Sequence, residues 1–376
     1  MSATFRRVAL IFVAAASLPS AARAQGDLPV GSVRVLSGFE VRGLSFNAGL
    51  GLKSASEIAI PVGLMWTASP RLAVDFGVRY ASASRTSETA GQPKATISGL
   101  TDAQLRGVYQ IVPDVVVLTV AANLPTGKTK LTDDELVAAG VVSSELIPFP
   151  VSSFGSGANV TTGLAAAVPL AGWAVGIGGS YRLTAGYTPL ASIDSSYKPG
   201  GEVRVRVGAD RVVGQGRVSL GFTFSSFAED EFGGSRLFQP GKRYITQGSW
   251  SFPIGNLGVA LYAWDLYRNA GTVLIGGGAT AKQNVVTGGV VASIQTGRNV
   301  LRPQLEYRIQ SVRDNGVSSW STAGHLFSVS ARYQLALSER FALLPAARFD
   351  TGNIGSAGTM VGFTGWGVSV GLRATL

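Results

Sequence analysis

Residues 301–310 read LRPQLEYRIQ, and apolar and polar side chains alternate throughout this stretch. Because successive side chains of a β-strand point to opposite faces, the segment has one apolar wall and one polar, largely charged wall. The same alternation recurs in residues 58–66, 72–80, 203–210, 218–224, 327–335 and 368–376. In a soluble sheet the apolar wall would face a protein core. Repeated along most of a chain, the pattern is typical of strands that face lipid on one side and a lumen on the other.

The N-terminus has the three parts of a secretory signal peptide. Arg6 and Arg7 form a basic start, residues 8–16 are apolar, and Ala22-Arg23-Ala24 is a small-x-small cleavage site. The apolar run is shorter than the roughly 20 residues that a membrane anchor helix needs. We therefore expect cleavage after Ala24, which leaves residues 25–376 as the mature chain.

Composition favours a closed membrane barrel. Mean hydropathy is positive, only 14% of residues are charged, and no stretch after the signal peptide could form a transmembrane helix. Only helices and closed barrels satisfy their backbone groups in lipid, so a barrel is expected. With no Cys and a single His, His325, the chain has no disulfide framework and no Cys or His cluster for a metal. We predict no metal and no cofactor.

The charge balance indicates partners other than nucleic acid. Three of the 32 basic residues lie in the predicted signal peptide, so the mature chain carries 29 basic against 22 acidic residues, a formal charge of +7. The basic residues do not cluster in runs, and several alternate singly with apolar neighbours. A positive barrel interior and contacts to outer-membrane lipid and lipopolysaccharide are therefore expected, with no nucleic-acid partner.

The spacing of turns predicts the strand number. Segments pair across short turns rich in Gly, Pro, Asn and Asp, at residues 69–71, 112–114, 170–172, 214–216, 255–256, 296–299 and 338–340. Longer polar stretches separate the pairs, as in outer-membrane barrels with short periplasmic turns. Seven such turns with both termini on the same side predict an all-β, antiparallel up-and-down barrel of about 16 strands. The first strand is placed in residues 38–52 with a register break near Gly43, and 14 strands is the alternative.

These patterns together predict the cell outer membrane of a Gram-negative-type bacterium as the location. The last strand alternates apolar residues up to Leu376. Such an ending resembles a barrel-assembly signal, although those signals usually end in an aromatic residue. The barrel-assembly machinery is therefore an expected partner.

The polar faces of the strands project into a mildly positive lumen. The basic residues expected there are Arg79, Arg106, Arg182, Arg204, Arg206, Arg302, Arg308, Arg332 and Arg348. The acidic residues are Glu57, Asp75, Glu202, Asp210, Glu306 and Asp350. One interpretation is a charge-lined pathway that attracts anions. The alternative is a paired or solvated wall that stabilises the barrel and selects nothing.

One insertion, residues 128–154, interrupts the pattern. Residues 132–135, TDDE, have capping-box spacing, so a short helix is expected there, ending at Gly140. Its side chains are more apolar than an exposed loop requires. The candidate substrate-binding residues are Leu136, Val141, Val142, Leu146, Ile147, Phe149 and Phe154. The insertion is expected either to fold into the barrel mouth and line a hydrophobic site there, or to pack on a neighbouring rim or on lipid head groups.

A family resemblance appears at the two ends of this insertion. Residues 123–127, NLPTG, and residues 154–160, FGSGANV, resemble segments of outer-membrane proteins grouped with the meta pathway of phenol degradation. Those proteins are similar in turn to the long-chain fatty-acid and toluene transporter barrels, which implies uptake of aromatics or fatty acids. Fatty-acid transporters begin with a sizeable plug, whereas only about a dozen residues precede the first predicted strand, so the resemblance does not extend to an N-terminal hatch.

Enzyme-like patterns are weak. Residues 367–371, GVSVG, match the nucleophile-elbow string but lie within a predicted strand rather than at a strand-to-helix turn. Residues 127–129, GKT, end like a phosphate-binding loop, but Ala122 stands where its first Gly would be. A barrel hydrolase would need His325 beside a serine such as Ser321 or Ser328. We therefore predict that the chain is not an enzyme.

The function predicted from the sequence is a passive channel or transporter for small hydrophobic or amphipathic compounds. A general porin for small polar or anionic solutes is the alternative, and an outer-membrane hydrolase is the third possibility.

Overall fold

The computed structural model describes residues 29–356 and 359–376. The predicted signal peptide, residues 1–24, lies outside the described residues. The strands are β1 (Val33–Phe46), β2 (Leu52–Ser69), β3 (Leu72–Ser87), β4 (Ala95–Leu100), β5 (Ala103–Val112), β6 (Val116–Leu124), β7 (Asn159–Leu170), β8 (Trp173–Thr184), β9 (Tyr197–Lys198), β10 (Glu202–Val213), β11 (Gly216–Phe227), β12 (Asp230–Phe232), β13 (Ser235–Gln239), β14 (Arg243–Ile254), β15 (Leu257–Arg268), β16 (Thr272–Val273), β17 (Lys282–Thr296), β18 (Asn299–Arg313), β19 (Ser321–Ala336), β20 (Phe341–Ser356) and β21 (Thr359–Thr375). The helix α1 spans Asp133–Val142.

The main sheet closes into an antiparallel barrel of 16 strands, because β1 pairs with both β2 and β21. β4 and β5 occupy a single position in the barrel, since both pair with β3. Neighbours otherwise follow chain order, as in an up-and-down barrel. The prediction of 16 strands is confirmed over the alternative of 14.

All seven predicted short turns join consecutive barrel strands at one end of the barrel, which we name the turn end. Val33 and Leu376, near the two ends of the described chain, exchange backbone hydrogen bonds there. Left-handed backbone conformations tighten several turns, at Gly214, at Gly255 and also at Ala171, where a side chain adopts φ 48°. The opposite end carries the longer connections and is named the loop end.

The strands alternate as predicted. In β18, the large apolar residues Leu301, Leu305 and Tyr307 are exposed on the outer face, whereas Glu306 and Arg308 are buried on the inner face. The exposed apolar side chains form a wall around the outside, with a length of strand typical of a membrane-spanning barrel. The architecture is therefore that of an outer-membrane β-barrel.

Two predicted boundaries are wrong. The first strand lies at Val33–Phe46 rather than at residues 38–52. Residues 47–51 instead form a tight loop, in which the Glu88 carboxylate accepts hydrogen bonds from the backbone amides of Gly49, Leu50 and Gly51. The helix α1 continues through Gly140 and ends at Val142, whose side chain is buried. Burial of Val142 thus outweighs the helix-ending tendency of the glycine.

Connections at the loop end form a small second sheet. β9, β12, β13 and β16 pair antiparallel outside the barrel strands. Tyr197 donates a hydrogen bond to Asp230 over 2.6 Å, and the Tyr187 and Tyr197 rings form a T-shaped contact. Within the described residues, no helix is long and apolar enough to cross a membrane.

Candidate functional site

The insertion between β6 and β7 folds into the barrel. Seven of its side chains are buried in one apolar cluster, namely Ala138, Val142, Leu146, Ile147, Phe149, Val151 and Phe154. The wall residues of the same cluster belong to β1–β4, β19 and β21, namely Leu44, Ala55, Ala59, Ala81, Ala83, Ile97, Leu326 and Phe363. The insertion therefore acts as an internal plug against one side of the wall.

Small side chains on the wall make room for this plug. Ala55 and Ala59 lie on β2, and Ala81 and Ala83 lie on the neighbouring β3, where Ala81 pairs with Ala59. All four point inward and are buried. A wall of larger residues at these four positions would occupy the volume that the insertion now fills. The alanine-lined face thus determines where the insertion packs.

Two wall side chains bind the insertion through its backbone at residues 150–151. The guanidinium of Arg79 donates a hydrogen bond to the Pro150 carbonyl oxygen over 2.5 Å. The backbone amide of Val151 donates to Glu57 Oε1 over 2.7 Å. Because a buried backbone group without a partner is costly, these two bonds stabilise the docked insertion.

Two further arginines hold the turn that follows α1. Arg308 Nη1 donates to the carbonyl oxygens of Glu145 and Leu146, at 2.8 Å and 3.3 Å. Arg268 forms an ion pair with the Glu145 carboxylate. These arginines lie on β15 and β18, so the insertion reaches across the lumen from its root at β6 and β7.

The two ends of the insertion meet at a single carboxylate, that of Asp102. Its Oδ1 accepts a hydrogen bond from Gly127 N over 3.0 Å. Its Oδ2 accepts from Ser156 N over 2.7 Å and from Asn123 Nδ2 over 2.9 Å. A Cβ at Gly127 would overlap the Phe154 carbonyl oxygen, so the two chain ends approach as closely as backbone allows. The two motifs NLPTG and FGSGANV thus lie side by side where the insertion joins β6 and β7.

The helix α1 begins with the predicted capping box. Thr132 Oγ1 accepts from the Glu135 amide, and Glu135 Oε2 accepts from the Thr132 amide over 3.1 Å. Lys128 also pairs with Glu135. Burial opposes ionisation of this carboxyl, but the hydrogen bonds from Lys128 and from the Thr132 backbone prevail, and the pKa of Glu135 is lowered from its usual value.

The two faces of α1 differ in exposure. Ala138 and Val142 are buried against the wall, whereas Leu136 remains 48% exposed and Val137 is also exposed. Among the seven predicted substrate-binding residues, Leu136 is thus accessible and Val141 is partly buried. The other five, Val142, Leu146, Ile147, Phe149 and Phe154, are packed inside the plug.

The register places all the predicted lumen-lining residues on the inner face: Arg79, Arg106, Arg182, Arg204, Arg206, Arg302, Glu306, Arg308, Arg332 and Arg348. Most of the inward acids pair with them. Asp350 accepts from Arg348 Nε over 2.7 Å, Arg106 pairs with Asp75, and Arg308 lies 3.3 Å from Glu306.

Sequence reasoning missed several polar residues of the interior, among them Arg42, Arg243, Arg268 and Asp102. Arg42 pairs with Asp350 over 2.7 Å. It lies within the predicted first strand, but the register break predicted near Gly43 is absent, because residues 42–44 pair consecutively with both neighbouring strands. Arg243 and Arg268 stand at strand ends beside predicted loops, on strands whose inner faces also carry apolar residues. Asp102 lies in the break between β4 and β5. Gln247, Ser249 and Ser251 alternate with Gly248, Trp250 and Phe252, and the same period carried back toward the loop end assigns Arg243 to the inner face.

His325 and Ser328 do not meet. Ser328 points into the barrel and donates a hydrogen bond to Asp350 over 2.5 Å. His325, three residues earlier, faces outward beside Tyr307 and lies 3.5 Å from Asn353 Nδ2. Trp264 points inward, where the Arg308 guanidinium lies over its ring. In the part of the chain that the structure describes, no group of three or more His, Cys, Asp or Glu residues could hold a metal ion.

Comparisons with known proteins find likeness in structure alone. No family model matches the sequence, and the search of curated proteins also found no match. The CymD monoaromatic hydrocarbon channel is 12% identical with a TM-score of 0.45, over 93% of this chain and 89% of that chain.

A loop-deletion mutant of OmpT, an outer membrane protein of Vibrio cholerae, is 10% identical with a TM-score of 0.43, over 93% of this chain and 100% of that chain. A triple mutant of the Rhodopseudomonas blastica porin is 13% identical with a TM-score of 0.36, over 92% and 100%. These likenesses do not indicate what this chain transports, and the resemblance to phenol-pathway proteins stays a prediction.

Proposed function

We propose that the chain is a passive outer-membrane channel that its own insertion narrows, and that it admits small hydrophobic or amphipathic compounds. The observation that carries this proposal is the docked insertion, whose Leu146 is 0% exposed inside the barrel. In a wide-open porin, water would fill the part of the lumen that the insertion occupies here. A barrel with part of its lumen filled by protein favours smaller solutes and contact with the walls.

The exposed face of α1 supports apolar substrates. Leu136 and Val137 remain accessible on the insertion, and apolar groups at a pore mouth favour partly apolar molecules. Capture is therefore assigned to this face of α1, while the buried residues of the plug support it. The outer apolar wall supports placement in the outer membrane, with lipopolysaccharide and the barrel-assembly machinery as proposed partners.

Planar-bilayer recording and vesicle swelling test the narrowing. A variant in which a short Gly-Ser linker replaces residues 133–151 is compared with the intact chain. We expect the intact chain to conduct weakly and to exclude neutral sugars, and the variant to conduct several-fold more and to admit them. Equal, large conductance in both chains would overturn the proposal in favour of a general porin.

The substrate class is tested separately by uptake of toluene against arabinose in proteoliposomes. Leu136→Gln should slow toluene uptake and leave arabinose permeation unchanged. Lys130→Gln, a polar change shortly before α1, serves as the matched control. Equal effects of both substitutions on toluene uptake would remove the capture role of α1.

A general porin for anions is the second candidate, and one observation favours it. The inner wall carries more arginines than carboxylates, so the lumen attracts negative solutes. If the current is anion-selective and no organic solute blocks it in a saturable way, this candidate is supported over the first.

A further inference from the structure

Three arginines share one carboxylate on the inner wall of the barrel. Glu202 Oε1 lies 2.8 Å from Arg204 Nη2 and 3.3 Å from Arg243 Nη2, and its Oε2 lies 3.3 Å from Arg182. Glu202 is 2% exposed, so its single charge is fully engaged. By strand order these residues, on β8, β10 and β14, stand opposite β1–β3, which carry most of the wall residues of the apolar cluster.

Arg206 adds a fourth positive charge to this group. It follows Arg204 on the inner face of β10 and sits across from Thr223 in the register. Among the residues that the structure describes, no carboxylate lies within salt-bridge distance of its guanidinium, and its Nε is buried without a hydrogen-bond partner. Four guanidiniums around one carboxylate leave a local excess of about three positive charges.

Other inward arginines are balanced more evenly. Arg106 pairs with Asp75 and Arg217 with Asp210, and Arg268 pairs with the insertion's Glu145. The group around Glu202 therefore carries a local excess of positive charge that these three pairs lack. Partial burial strengthens its attraction for an anion, because water screens it less.

Apolar side chains lie next to this positive group. The register aligns Arg206 with Thr223, Ile245 and Leu266 in one row across β10, β11, β14 and β15. The Arg243 guanidinium stands over the Phe227 ring at 5.5 Å. A ligand whose charge meets the arginines can therefore lay an apolar body along Ile245 and Leu266.

We propose that Arg204, Arg206 and Arg243, with Ile245 and Leu266 beside them, form a binding site in the lumen for small amphipathic carboxylates. The proposal rests on the channel function proposed above and names the substrate class within it. A carboxylate accepts two parallel hydrogen bonds from one guanidinium, so Arg206 offers the donor geometry that such an anion needs. A ring or short alkyl chain then displaces water from the apolar row.

Benzoate and its neutral analogue benzamide are the probes, used on the full mature chain in planar bilayers with chloride as the carrier of current. We expect benzoate to block the chloride current in a saturable way and benzamide to have little effect. Arg206→Gln should weaken the block about 10- to 100-fold, as for the loss of a hydrogen bond to a charged group. Arg206→Lys keeps the charge and should recover part of the affinity.

The matched control is Arg373→Gln, which removes one inward charge at the turn end and should leave the benzoate block within about twofold. Equal block by benzoate and benzamide would overturn the site, as would equal weakening by Arg206→Gln and Arg373→Gln. Unchanged block in Arg206→Gln would also overturn it. These outcomes leave the channel function standing, whereas a correctly inserted chain that passes neither chloride nor benzamide would overturn the channel function itself.

Discussion

Leu146 is the residue whose loss should release the insertion from the wall. Its side chain is 0% exposed, within the cluster that joins the insertion to the wall. Replacing a buried leucine by alanine costs about 2–5 kcal/mol, because apolar contact is lost and a cavity remains. The barrel strands keep their own hydrogen bonds, so we expect this cost to fall on docking of the insertion rather than on the barrel.

This free-energy cost sets the fraction of molecules in which the insertion is undocked. Since each 1.4 kcal/mol is a factor of ten, Leu146→Ala should raise the undocked fraction roughly 30- to 4,000-fold. The mature chain has no Cys, so one introduced thiol reports on docking. Val142→Cys places it on α1 at a position that is 1% exposed, where a maleimide reacts only after the insertion opens.

The assay compares labelling rates of Val142→Cys alone, with Leu146→Ala and with Leu136→Ala. Leu136 lies on the same insertion but is 48% exposed, so the same truncation there should change the rate by less than about threefold. Circular dichroism checks that the barrel stays folded. If Leu146→Ala labelled no faster than Leu136→Ala in an intact barrel, the account of the insertion as a docked plug would be refuted.

Three further outcomes follow from the contacts of single carboxylates. Asp102→Ala should speed Val142→Cys labelling about 10- to 100-fold, since hydrogen bonds from both ends of the insertion are lost. Unchanged labelling would contradict the claim that Asp102 holds the two ends of the insertion together. Asp350→Asn should lower the free energy of unfolding in urea by about 3–5 kcal/mol, because it leaves the buried Arg42 without its counter-charge. Glu339→Gln, in an exposed pair, should change it by less than about 1 kcal/mol. The folded pKa of Glu135 is lowered, so its stabilisation of α1 is present above the unfolded pKa and is lost as the pH falls through the folded one. Amide exchange of α1, corrected for its intrinsic pH dependence, should therefore lose protection below about pH 4, and Glu135→Gln should flatten this profile.

The barrel could be predicted from the sequence because its signal is local. Alternation in a segment such as residues 301–310 depends only on which face each side chain takes, and turn chemistry marks where each pair ends. The predicted end of the first strand was wrong because a side chain distant in the sequence determines the local conformation there. Glu88 binds the amides of residues 49–51, and without that contact the segment after Phe46 reads as further strand.

The plug could be predicted only in part. The apolar residues of the insertion indicated a partner surface, but not which one, because the partner is formed by alanines from strands far away in the sequence. Ala55 and Ala59 flank Glu57 on the inner face of β2, and Ala81 and Ala83 occupy successive inner positions on β3. An inner face that is both small and apolar in a barrel with a charged lumen is the signal that this part of the wall is covered.

The residues that hold the insertion in place differ from the residues that solutes in the lumen contact. Arg79, Glu57 and Arg308 bind its backbone atoms, so these contacts persist whatever side chains residues 145–151 carry, provided the apolar cluster stays filled. Solutes that enter the barrel meet other groups, the exposed face of α1 and the arginines around Glu202. Substitutions at Leu136 or Arg206 should therefore change which solutes pass while docking is preserved, and substitutions at Leu146 should change how many pass. Measuring permeation and Val142→Cys labelling on the same variants would separate the two effects. If every change in selectivity accompanied undocking, the exposed face of α1 and the arginines around Glu202 would not select solutes independently of docking.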